Sequence, residues 1–132
     1  MPVRIPRLLR SLAAVVAGYA VIVLGTVLVL SVLLDDVTYA EAGVLEHAVG
    51  AIGTILTGLL GGYVAARLAG RQPVGHALGV VLILIVEMTW ILTTGVGSNP
   101  AWFDAAGGLT LMVTAALGAL VYAKRGDLES PA

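Results

Sequence analysis

The chain has 132 residues, of which 59% are hydrophobic and only 11% charged, and its mean hydropathy is +1.03. A water-soluble domain carries roughly 45–50% apolar and about 25% charged residues, so this composition argues against an ordinary soluble globule. The formal net charge of −1 is uninformative, but the lack of cysteine removes disulfides, zinc thiolate sites, iron–sulfur clusters and thiol catalysis.

In chain order, residues 1–10 (MPVRIPRLLR) form a basic tail in which Pro2 and Pro6 discourage helix before about residue 7. Four long apolar stretches follow, at 11–34, 48–66, 77–95 and 105–123. A helix rising 1.5 Å per residue needs roughly 20 apolar residues to cross a hydrocarbon core about 30 Å thick, and each stretch meets that length. Backbone groups in lipid must be satisfied within the segment, so each stretch is expected to be a helix. Ala40-Glu41-Ala42 resembles a signal-peptidase site, yet the 24-residue first stretch exceeds the usual 7–15-residue signal core and reads as a retained span. The loop DDVTYAEAGVLEH has room for one turn of interfacial helix around Tyr39–Leu45. In the loop VGSNPAWFD, Asn99-Pro100 signals a turn, and Asp104 is expected as N-cap of the fourth span. Trp102 and Phe103 suit an outer aromatic belt, and Tyr63 and Tyr122 an inner one. The four stretches hold 81 of the 132 residues, and no remaining piece is long enough to bury a core. The expected fold is therefore all-α: a single four-span membrane domain over 1–132, built as a four-helix transmembrane bundle.

Charge sets the expected orientation. Arg4, Arg7, Arg10, Arg67, Arg71, Lys124 and Arg125 lie in the N-terminal tail, the 67–76 connection or the C-terminal tail. The other two loops hold Asp35, Asp36, Glu41, Glu46 and Asp104 and no basic residue. The positive-inside rule places both termini in the cytoplasm. Arginine outnumbers lysine six to one, which fits a GC-rich bacterial genome, so the expected location is the bacterial inner membrane.

The second span carries a ridge of small residues, with Gly50, Thr54, Gly58, Gly62, Ala66 and Gly70 recurring every fourth position. Gly53, Thr57, Gly61, Ala65 and Ala69 form the adjacent row. One broad helix face is thus nearly bare, and small residues let membrane helices approach closely. The favoured reading packs Gly50, Thr54, Gly58, Gly62 and Ala66 inside one bundle. The alternative is an interface with a second copy or with another membrane protein.

Glu87 is the one charged residue deep inside a span, eight residues from the end of the third stretch. Burying a carboxylate there costs about 2.5 kcal/mol or more, so Glu87 should face protein or water. With helices alternating in direction, Thr26, Thr54 and Thr114 come to nearly the same depth as Glu87. A polar layer centred on Glu87 is expected, serving either as a proton or cation site or as a hydrogen-bonded clamp. Membrane threonines also bond their own backbone and need no partner. His47 and His76 sit at opposite membrane faces and cannot share a metal or haem. No catalytic motif, metal site, cofactor site or nucleic-acid signature stands out.

The segment GGYVAARLAGR at 61–71, followed by a glycine-led third span, resembles a feature of uncharacterised small bacterial four-span membrane proteins. That resemblance implies the same four-span fold and carries no activity. The expected role is a non-enzymatic packing or interaction subunit in a lipid bilayer. The alternative is a small proton- or cation-coupled transporter or channel using Glu87.

Overall fold

The computed structural model describes residues 7–70 and 72–129, the last three by their backbone alone. Arg4 and Arg71 of the charge pattern, with Pro2 and Pro6, lie outside the described residues. The described residues form four helices: α1 (Arg7–Val27, continued by a π-helical segment, Leu28–Leu33), α2 (Val44–Ala69), α3 (Pro73–Thr94) and α4 (Ala101–Glu129). Each is long and apolar enough to cross a membrane, and there is no strand among the described residues. The protein is an all-α, four-helix transmembrane bundle and a multi-pass membrane protein.

Local chemistry explains where the helices stop. At the start of α2, Gly43 is extended, and its N–H donates to Glu46 Oε2 at 3.0 Å. This carboxylate occupies the favourable N-terminal end of the helix dipole. Gly70 ends α2 in the left-handed region (φ 69°), which a residue without Cβ enters freely. Pro73 opens α3 at its first turn, where a missing N–H costs nothing. Gly95, at φ 64°, closes it by donating its N–H to Ile91 O at 3.0 Å.

Two local expectations are corrected. Around Tyr39–Leu45 a single isolated turn forms rather than a length of interfacial helix. Thr38 O accepts the N–H groups of Glu41 (3.1 Å) and Ala42 (2.9 Å), the turn does not continue, and regular helix begins only at Val44, after extended Gly43. Asp104 is not the N-cap of α4. Pro100 O accepts the N–H groups of Phe103 (2.9 Å) and Asp104 (3.2 Å), so the helix starts at Ala101. Asp104 lies in its first turn, where a negative charge remains favourable.

Around the bundle the order is α1, α2, α4, α3. The most extensive contacts are α2 with α4 and α2 with α1, followed by α3 with α4. Consecutive helices run antiparallel, and Arg10 Nε on α1 donates to Leu68 O near the end of α2 at 3.1 Å. Lipid tails are as apolar as leucine, so large side chains gain little by turning inward, and close packing drives association. Accordingly Leu12, Leu24, Leu60, Leu82, Val86 and Leu109 are exposed on the bundle surface, whereas Ala14, Ala65, Ala66, Ala115 and Ala119 have no exposure at all. The small face of α2 is divided between two neighbours. Gly61 and Ala65 pack on Gly18 of α1, and Gly58 and Gly62 pack on Thr114 and Ala115 of α4. A Cβ at Gly62 would run into the Ala115 carbonyl, and one at Gly118 into the Leu59 carbonyl. These seams occupy the half of the bundle that holds both termini. The opposite half, beneath the 34–43 and 95–100 connections, is packed less tightly.

Candidate functional site

Glu87 on α3 is half-buried, and its Oε2 accepts a hydrogen bond from the hydroxyl of Tyr19 on α1 at 3.0 Å. The two residues stand at similar distances from the N-terminal ends of helices that run in the same direction. Tyr19 engages Oε2 alone, so Oε1 has no protein hydrogen-bond partner among the described residues. Glu87 also lines a cavity of about 540 Å³ in the less tightly packed half of the bundle. The walls come from all four helices, and their charged residues are Glu87 and Asp104, both acidic. Among the described residues no lysine, arginine or histidine lines this cavity.

The threonines expected around Glu87 separate. Thr26 and Thr54 line the same cavity as Glu87. The Thr54 hydroxyl donates to Gly50 O, one turn back on its own helix, at 2.8 Å. Thr114 is buried away from the cavity on the seam with Gly58, and its hydroxyl donates to Thr110 O at 2.7 Å and Leu111 O at 3.2 Å. The expected four-residue layer is therefore a cavity wall holding Glu87, Thr26 and Thr54, and none of these threonines bonds the carboxyl group. Of the ridge residues, Gly58, Gly62 and Ala66 are buried inside the chain, and Gly50 and Thr54 are half-buried.

A second cavity, of about 310 Å³, adjoins the first and shares Leu30, Thr54, Asn99, Phe103 and Gly107 with it. Its walls include Tyr39, Glu46 and His47. The His47 ring packs edge-on against Tyr39 and Phe103, with centroids at 5.1 and 5.9 Å, and Trp102 completes an aromatic cluster. His47 Nδ1 lies 2.7 Å from Gly43 O. That contact puts the proton on Nδ1 and leaves Nε2, which is buried, without a hydrogen-bond partner. Asn99 joins the two connections on this side. Its Oδ1 accepts the Tyr39 N–H at 3.1 Å, and its Nδ2 donates to Asp104 Oδ1 at 3.2 Å. Tyr63 and Tyr122, at the termini end, stack edge to face at 5.4 Å. Among the described residues no group of three His, Cys, Asp or Glu side chains is arranged to hold a metal ion.

Sequence reasoning passed over Tyr19 and the second cavity, and read Asn99 only as a turn residue. The available signal for Tyr19 was that it is the single aromatic residue inside the first apolar stretch, with a hydroxyl that needs a partner when removed from water. No family model, curated protein or solved structure matches this chain.

Proposed function

We propose that this protein lies in the bacterial inner membrane with both termini in the cytoplasm, and that Glu87 binds a proton or a small cation reaching it from the opposite side. One observation carries the reading: Glu87 lines an open cavity whose charged wall residues are all acidic. A carboxylate in a membrane interior needs a proton, a cation or a basic partner. Among the described residues no basic side chain lines that wall, so a mobile cation or proton is the natural counterpart. The π-helical segment supports the same reading. It supplies Val29 and Leu30 to the wall, and such wide turns occur frequently at functional sites.

A second reading is favoured by the Tyr19–Glu87 hydrogen bond. It joins α1 and α3, which touch less than the other adjacent pairs. On that reading the protein is a non-enzymatic packing or interaction subunit, and Glu87 is a clamp between helices. Flux measurements in vesicles separate the two. With Glu87 as the site, wild-type protein carries sodium- or proton-dependent flux, and Glu87→Gln abolishes it at normal expression. Absent flux in the wild type, or unchanged flux in the variant, returns the protein to the clamp reading.

A further inference from the structure

Resting on that reading of Glu87, we propose that its cavity binds an organic monocation with an apolar body, admitted sideways from the lipid between α1 and α3. Volume is the first argument. A proton or bare metal ion has no use for about 540 Å³, whereas ligand pockets for small molecules run from about 300 to 1,000 Å³. The second argument is the wall chemistry. Ile22, Val23, Leu84, Met88 and Leu111 form an apolar lining, with Glu87 and Asp104 as its charges. Glu87 Oε1 is unengaged by protein among the described residues, because Tyr19 holds Oε2. Trp90 and Phe103 also line the cavity, and aromatic faces attract a cation within about 6 Å. An apolar body fits the lining, and a single positive charge fits the carboxylate.

The entrance follows from exposure. Val23, Val27 and Leu30 of the first helical segment and Trp90 of α3 are cavity walls that are also exposed on the bundle surface, Val27 by 53% and Trp90 by 57%. The cavity therefore opens on the lipid-facing side between α1 and α3. At the termini end of this opening, Gly79 packs against Val15 and Tyr19 holds Glu87, so the gap does not continue through the bundle. A ligand that partitions into the membrane reaches the site without crossing the tightly packed half.

Gly107 gives a selective test. It lines both cavities, and a Cβ built on it meets nothing within 4 Å. A leucine there starts from an unobstructed Cβ and is expected to extend into the site. The probe is benzyltrimethylammonium, titrated calorimetrically into the full chain in mild detergent. Saturable binding near one per chain is expected, weakened at least tenfold by Glu87→Gln and by Gly107→Leu. Trp90→Ala, a change on the exposed surface, is expected to weaken it severalfold. Absence of binding by the wild type overturns the proposal, as does wild-type affinity in both Gly107→Leu and Trp90→Ala. If that failure leaves Glu87-dependent flux of protons or sodium intact, only the organic ligand is refuted. If Glu87→Gln changes neither binding nor flux, the cation site itself falls.

Discussion

Glu87 and Tyr19 form the one hydrogen bond from side chain to side chain between two different spanning helices among the described residues. Hydrogen bonds between membrane helices contribute about 0.6 kcal/mol on average and reach roughly 1.7, because the unfolded chain in lipid also finds partners. Tyr19→Phe keeps the ring and removes the donor. It should lower stability by about 0.6 kcal/mol on that scale, read from reversible unfolding in mixed detergent. Paired with Glu87→Gln in a double-mutant cycle, it should show a coupling of the same size. A coupling indistinguishable from zero would mean that the carboxyl finds another partner when the phenol is gone. The pair also fixes which carboxylate oxygen stays available, so Tyr19→Phe should alter cation affinity while Tyr63→Phe, on the termini-end aromatic pair, leaves it unchanged.

At the level of elements, α2 is the helix around which the others assemble, because its bare face accepts α1 on one row and α4 on the next. Gly62 is the tightest point. Any side chain there meets the Ala115 backbone, which has no rotamer with which to yield. Overpacking of a dense core costs about 1–3 kcal/mol and occasionally more. Gly62→Ile, and Gly58→Ile beside it, should therefore destroy the folded monomer rather than release monomers from an oligomer. Size-exclusion chromatography and thermal unfolding in detergent separate these outcomes. Gly50→Ala is the control, because its Cβ would meet only the Leu34 Cδ1 atom at 3.4 Å. Span number and approximate length were legible in the residues because hydropathy is read along one dimension. Depth was legible as well, since rise per residue is constant: Thr26 and Thr54 do share a cavity with Glu87. Rotation about each axis was not. Thr114 faces the Gly58 seam and not the cavity, because the fit of bare glycine against its neighbour decides which way α4 turns. The partner of Glu87 was hidden for a similar reason. It lies 68 residues away on a helix whose facing no local pattern reveals.

For the whole molecule, packing and charge divide along the same line. One end holds the termini, the Arg10–Leu68 contact and the alanine- and glycine-lined seams. The other holds the acidic connections and both cavities. The described basic residues, Arg7, Arg10, Arg67, Lys124 and Arg125, all belong to the first end and none to the second, and positive charge near short loops is retained on the cytoplasmic side. The sealed end should therefore face the cytoplasm and the cavities the outer side. The chain contains no cysteine, so a single introduced thiol reports one position without background. Ser98, in the 95–100 connection, and Lys124, near the end of α4, are both exposed. In intact bacterial cells a membrane-impermeant maleimide should label Ser98→Cys, and it should reach Lys124→Cys only after the inner membrane is opened. Labelling of both before permeabilisation would mean that the protein inserts in two orientations. The reverse pattern would turn the cavities toward the cytoplasm, and Glu87 would then be loaded from inside the cell.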